Sequence, residues 1–386
     1  MPIIYADNNA TTQVAPEVLD AMLPYLGARY GNPSSLHLLG AEAAKNIDLA
    51  RAKVADLIGA KPSEIVFNSG GTESDNAAIQ GALAAQPKKR HIVTTAVEHP
   101  AVLNLAKLLA TQGYEISYVP VDKEGRLDEE RFWKSVRPDT CLVSVMWANN
   151  ETGVLFPIQE MSRALKAKYP DVLFHTDAVG AVGKTPVNVS RAPVDLLSLS
   201  GHKFHAPKGI GALFVRRGVR IKPLIVGGQQ EEGLRGGTQN AASIVALGKA
   251  CEMARERLDR MNTRVLALRN KLEKECVARV AGAIIHGAKA PRVPNTASIG
   301  LRGLEAEALL TALSDEGICA SSGSACKKGI PSASHVLIAM GVPREYALGT
   351  IRFSLGHSNT EEDVERIVET LPRVVAKLSA IAARVA

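Results

Sequence analysis

Aromatic residues are scarce in this chain: two tryptophans, seven tyrosines and seven phenylalanines make up 4% of its 386 residues. The formal charge of +7 invites a nucleic-acid reading, but the basic residues are dispersed and no aromatics interleave with them in a repeated pattern. That excludes the common basic–aromatic binding modules, so no nucleic-acid partner is expected. The surplus charge is better suited to attracting anionic ligands or an acidic partner protein. No apolar run approaches the length of a membrane span. The opening residues, Met1 to Asp7, lack the basic and apolar regions of a secretory leader, so the expected location is the cytoplasm.

Cysteine is also sparse. The five residues Cys141, Cys251, Cys276, Cys319 and Cys326 fit no zinc spacing. An odd count in a chain of this size argues against a disulfide framework and for a reducing compartment. Cys141 and Cys319 read as small buried hydrophobes, and Cys251 and Cys276 lie in helical patterns. Only Cys326 sits among small polar residues. His202 and His205 have no further ligands near them in sequence, and no metal is expected.

What is present is alternation. Apolar strand-like runs occur at Ile65–Asn68, His91–Thr95, Ile116–Val119, Leu142–Trp147, Val172–Asp177, Leu196–Ser200 and Gly211–Val215. Segments with helical periodicity, such as Pro100–Thr111 and Ile158–Lys168, lie between them. This order predicts an α/β fold with a mainly parallel seven-stranded sheet covered on both faces. A long helical region from about Ala241 to Val280 leads to a smaller C-terminal α/β unit. Its strand signals are Thr296–Ile299 and Ile351–Ser354, and a final amphipathic helix starts near Thr360.

Three strand ends carry chemistry. Leu196–Ser200 runs into Gly201-His202-Lys203, where a lysine can become nucleophilic if burial or nearby cations lower its pKa. Without partners, Lys203 reads as a surface lysine in the loop after a strand. Val172–Asp177 ends in a carboxylate, which suits either a turn cap or an acid facing a pyridinium nitrogen. Ile65–Asn68 leads into Ser69-Gly70-Gly71-Thr72, where two glycines admit an anion and Thr72 is placed to cap the next helix. All three would lie at carboxyl ends of strands, on the edge where open α/β sheets bind ligands. One decoy is Gly183-Lys184-Thr185, which follows a strand as in a P-loop nucleotidase. The required glycine five positions earlier is Ala178, so the loop does not fit.

In this order the chain also carries Gly-Thr-Glu-Ser-Asp-Asn at 71–76, Glu98-His99-Pro100, Asn149-Asn150-Glu151, Ser200-Gly201-His202-Lys203 and Ser321-Ser322-Gly323-Ser324-Ala325-Cys326. Together they resemble the NifS/IscS-type cysteine desulfurases, pyridoxal-phosphate enzymes of the class-V aminotransferase kind with fold type I. The likeness spans Asp7 to Arg352, and residues 146–153 and 202–209 resemble the nitrogen-fixation branch more than the housekeeping one. A related selenocysteine lyase is the alternative within the same chemistry.

The resemblance implies a large domain at 16–255. It implies a small one at 1–15 and 256–386, carrying a mobile loop at about 321–333. It implies pyridoxal 5'-phosphate on Lys203, with Asp177 at the ring nitrogen and His99 against the ring in an acid–base role. Asn150 is implied at the phenolic oxygen, and Gly71, Thr72, Ser200 and His202 at the phosphate. Thr238 would reach the phosphate of the other subunit, which makes a homodimer. Arg352 would hold the carboxylate of L-cysteine, a task suited to its bidentate donors, and Asn32 is a further substrate-site candidate. Cys326 would accept sulfur as a persulfide and pass it to an iron–sulfur scaffold of the NifU/IscU type. Lys327 and Lys328 follow Cys326 and are placed to favour its thiolate or to dock an acidic partner. The family pattern after the acid is Asp-Ala-x-Gln, with the glutamine helping asparagine bond the phenolic oxygen. Here that position is Gly180.

Overall fold

The computed structural model describes residues 2–322 and 333–385. Its strands, in chain order, are β1 (Ile4–Tyr5), β2 (Ile65–Asn68), β3 (His91–Thr95), β4 (Glu115–Val119), β5 (Thr140–Ser144) and β6 (Leu173–Asp177). They continue with β7 (Leu196–Ser200), β8 (Gly211–Val215), β9 (Ile284–Ile285), β10 (Thr296–Gly300), β11 (Ile318–Cys319) and β12 (Thr350–Ser354).

Seven of these form the main sheet in the order β2-β8-β7-β6-β5-β3-β4. β8 is antiparallel to both neighbours, and the remaining pairs are parallel. The cause is the connection. β7 reaches β8 through residues 201–210, whose only helical part is a single tight turn, whereas a parallel pair needs a longer crossover. The other six strands therefore share one direction, and their carboxyl ends lie along one edge. Successive side chains along these strands enter opposite cores. Phe67, Leu197 and Phe214 pack with the helices Leu38–Ile58 and Ala241–Glu256 on one face. Val66, Leu196 and Leu213 pack with Gly71–Ala85 and Pro100–Thr111 on the other. Burial on both faces explains why these strands read as unbroken apolar runs. Edge strand β4 alone exposes Glu115 and Tyr118.

The expected strand Leu142–Trp147 is corrected at both ends. β5 is Thr140–Ser144, and Val145–Ala148 is buried chain beyond it. Apolar burial alone does not separate a strand from a buried loop. Cys319 is also corrected, being half-buried in β11 rather than fully buried.

A second core forms around β12-β10-β9, an antiparallel sheet covered by the helices Leu266–Arg279, Ala306–Asp315 and Glu361–Val385. β1 pairs in parallel with β11, so the N-terminal residues belong to this core. The short helix His335–Ala339 instead packs Val336 and Leu337 against the first core. Between β1 and the helix Pro16–Leu26, residues 6–15 strap the two cores together. The Asn9 amide N–H donates to Ser354 Oγ (2.9 Å), and that of Thr12 donates to the His202 carbonyl (2.8 Å). Among the described residues no helix is long and apolar enough to cross a membrane.

Candidate active site

The carboxyl edge of the main sheet opens into a cavity of about 620 Å³. Gly71 and Thr72 reach it from beyond β2, His99 from beyond β3 and Asn150 from beyond β5. Asp177 ends β6, Ser200 ends β7, and His202 and Lys203 stand in the turn that follows it. Arg352 enters from β12 of the second core. The parallel strands thus bring residues 71 to 203 together, and the strap and β12 close the far wall.

Lys203 Nζ donates to the carbonyls of Asn9 (2.5 Å) and Ala10 (2.9 Å). Burial first, and the Arg352 guanidinium second, lower its pKa to about 8. At neutral pH about one such amine in ten is unprotonated, against roughly one in a few thousand for an ordinary lysine. Asp177 is buried, and its Oδ1 accepts the Val179 N–H (2.9 Å). Burial raises its pKa, while the charges of His99 and Lys203 oppose that. His99 caps the helix Pro100–Thr111 through Nδ1, which accepts the Ala101 N–H (3.2 Å), so a neutral ring carries its proton on Nε2. Burial lowers its pKa. Capping through Nδ1 is therefore compatible with the expected place of this histidine against the ring.

Thr72 does not cap its helix, contrary to expectation. The helix begins at Gly71, Gly70 is the cap residue with φ +146°, and Glu73 reaches back to the Ser69 N–H (2.9 Å). Thr72 is left in the first turn, beside free N–H groups. A Cβ at Gly71 would meet Val179 Cγ2 at 2.8 Å, so only glycine leaves this cradle open. Burial, then Lys203, lowers the pKa of His202 to about 4, which makes it a neutral donor. Arg352 is buried. Its Nη2 pairs with Asp7 (2.7 Å) and its Nη1 donates to the Asn150 carbonyl (3.0 Å), while Nε has no partner among the described residues.

Two expected residues are not brought to the cavity in a single chain. Asn32 is exposed and its Oδ1 accepts the Ser34 N–H, and Thr238 is exposed. Cys326, Lys327 and Lys328 lie outside the described residues. The residues flanking them do line the cavity. Ser321 exchanges backbone bonds with Arg352, and Ser334 donates to Glu151. Among the described residues no cysteine lines the cavity. Burial raises the thiol pKa of Cys141 to about 11 and of Cys276 to about 12.

Among the lining residues that the sequence reading did not assign to the site are Asn9, Asp75 and Lys184. Asp75 stands inside the quoted 71–76 run. One ligand atom each from Asp75, His99 and Asp177 lie within 4.8 Å of one another. Among the described residues Asp75 Oδ1 and Glu98 Oε2 are buried without hydrogen-bond partners. Burial raises the pKa of both acids, Glu98 to about 8, and the Asp177 charge adds to the effect. Neighbouring buried carboxyls cannot all ionise. Of the three, Asp177 is the one whose rise the His99 and Lys203 charges oppose. Lys184 is not on a phosphate loop; it is buried and bonded to Asn9 Oδ1 (2.9 Å).

A buried amine of lowered pKa, a buried carboxylate, a glycine cradle at a helix N-terminus and an unsatisfied guanidinium fit pyridoxal phosphate with an amino-acid substrate. The fold and site are those of a pyridoxal-phosphate-dependent class-V aminotransferase-type enzyme, and the model of the aminotransferase class-V family matches residues 4–367. Within that family the chain belongs with the cysteine desulfurases. It is 51% identical over 381 residues to a cysteine desulfurase of Trichormus azollae, covering 99% of this chain and 95% of that one. To the cysteine desulfurase NifS of Azotobacter vinelandii it is 50% identical over 379 residues, with coverage of 98% and 94%. A solved NifS-like protein superposes with a TM-score of 0.91 at 41% identity, covering 97% of this chain and all of that one.

Proposed function

We propose that this enzyme takes sulfur from free L-cysteine, leaving L-alanine, and carries it as a persulfide on Cys326 for iron–sulfur cluster assembly in nitrogenase maturation. The observation that carries the sulfur step is the position of Ser321 and Ser334. They bracket the Cys326 segment, and both line the cavity beside Arg352 and Lys203. Bound pyridoxal phosphate supplies an electron sink for the pair left when the substrate's Cα–H bond breaks.

The protein's own groups do the rest. Lys203 would hold the cofactor, and its amine would take the Cα proton. Asp177 keeps a proton on the ring nitrogen, and Asp75 and Glu98 stay neutral behind it. Gly71, Thr72, Ser200 and His202 bind the phosphate, and Asn150 meets the phenolic oxygen. Arg352 exchanges its Asp7 contact for the substrate carboxylate. His99, protonated at Nε2, moves a proton at the reacting centre. The Cys326 thiolate attacks the substrate sulfur, the C–S bond breaks, and the freed Cβ receives a proton to give the methyl group of alanine.

The working unit in this reading is a cytoplasmic homodimer in which Thr238 and Asn32 serve the neighbouring subunit's site. Support comes from the exposed apolar residues Leu19, Leu23, Leu26, Tyr30, Leu36 and Leu38 near Asn32. Residues 16–255 form the large domain and residues 1–15 and 256–386 the small one, with helix His335–Ala339 returning to pack on the large. The sulfur acceptor is an acidic scaffold of the NifU/IscU type, for which the +7 charge is suited.

Cys326→Ala tests the central step. The variant should bind cofactor and show a spectral response to L-cysteine, yet release no sulfide. In the parent, mass spectrometry after a brief reaction without reductant should find added sulfur on the Cys326 peptide. Normal alanine and sulfide formation by the variant would falsify the assignment.

A further inference from the structure

Lys184 has no part in the chemistry above, yet it is a lysine almost wholly enclosed in the protein, 4% exposed, and it lines the cavity. Among the described residues its Nζ has one partner, Asn9 Oδ1 at 2.9 Å, which also accepts from Asn295 Nδ2 at 3.1 Å. An ammonium has three donors, so two are left over. Among the described residues no carboxylate pairs with it. The charges facing it are cations: Lys203, bonded to the backbone of the same Asn9, and Arg352 on β12. Buried charges are normally paired, and an unpaired one is expensive to keep. Gly180 lies four residues earlier on the cavity wall and contributes no side chain.

We propose that Lys184 is an anion-binding residue of the loaded site. Together with Arg352 it holds an anionic oxygen on the wall away from the phosphate cradle. This rests on the pyridoxal-phosphate reading above. Two oxygens share the required chemistry: the cofactor's phenolic oxygen and the substrate's carboxylate. In the free protein, burial first and the Lys203 charge second lower the Lys184 pKa to about 7. A bound anion favours the ammonium, so binding draws a proton onto Lys184, and affinity should fall as pH rises above about 7.

Lys184→Met and Lys184→Arg test the idea, with pyridoxal 5'-phosphate added to apo-protein and L-cysteine added to holoenzyme as probes. Methionine matches the length of the stem and removes the buried charge. The Met apo-protein should therefore melt at or above the parent temperature while binding an anion less well. Loss on the order of tenfold in cofactor affinity, with loss of the alkaline fall-off seen in the parent, identifies the phenolic oxygen. A similar rise in KM for L-cysteine with unchanged cofactor affinity identifies the carboxylate. Lys184→Arg, whose charge does not titrate here, should keep binding above pH 8 where the parent weakens. Unchanged cofactor affinity and KM in a folded Met variant would overturn the inference, as would a Met apo-protein that melts well below the parent. Failure of the parent itself to take up the cofactor would instead overturn the reading on which it rests.

Discussion

Substituting Gly180 sets two effects of known sign against each other. A Cβ there would lie 2.6 Å from the carbonyl oxygen of Ala148, well inside van der Waals contact. That oxygen belongs to the buried chain beyond β5, so no flexible side-chain tip can move aside. Overpacking of this kind costs about 1–3 kcal/mol. Gly180→Ala carries the steric cost alone and should lower the apo-protein's melting midpoint by about 1–4 °C. Gly180→Gln carries the same cost, but its amide can donate to the cofactor's phenolic oxygen, a bond worth about 0.5–1.5 kcal/mol. Packing is the larger effect, so the Gln holoenzyme should still melt below the parent. A donor to that oxygen favours its deprotonated form. The pH midpoint of the visible cofactor band should thus fall by up to about one unit in the Gln variant relative to the Ala variant. A Gly180→Ala protein that melts with the parent would refute the steric argument. Band midpoints that coincide in the two variants would refute the hydrogen bond.

Borohydride reduction of the holoenzyme followed by peptide mapping should place the cofactor on Lys203, and label on Lys184 or Lys208 would sink that assignment. Glu98 has a folded pKa of about 8, raised from 4.5 chiefly by burial, so the folded state binds more protons between those values and stability falls as pH rises through them. Glu98→Gln should remove that slope, on the order of 1 kcal/mol per pH unit, and an unchanged melting curve against pH would show that the acid is not held neutral. Replacing Lys327 and Lys328 by serine should slow Cys326 alkylation near neutral pH if they favour the thiolate. If they dock an acceptor, it should weaken only salt-sensitive sulfur transfer, and no change in either measurement removes the pair from the chemistry.

The local parts of this structure were legible from residue order. β2, β3, β7 and β8 occupy the expected spans, because short β-rich runs bounded by polar or glycine residues leave little freedom. Lys203 and Asp177 were visible for the same reason, each standing where a buried run stops. Leu142–Trp147 was read too long because hydrophobicity reports burial, not hydrogen bonding. β1, β9 and β11 are two residues each, too short to show a period. Asn9 and Lys184 were invisible as site residues because their roles depend on contact between segments 175 positions apart. Asp75 follows helical spacing, and only the fold reveals that it backs onto Asp177.

The strap at residues 6–15 couples the stability of one core to the competence of the other. Asn9 bonds Lys184, Lys203 and Asn150, all groups of the main-sheet cavity, while its own backbone and the neighbouring Asn8 side chain hang on Ser354 of β12. Any sub-global opening that frees β1 from β11 withdraws Asn9, and with it the acceptors that hold both amines. Amide exchange in β1 and cofactor release should therefore share one opening free energy, although the residues involved belong to opposite cores. Deletion of β1 would here be an active-site mutation.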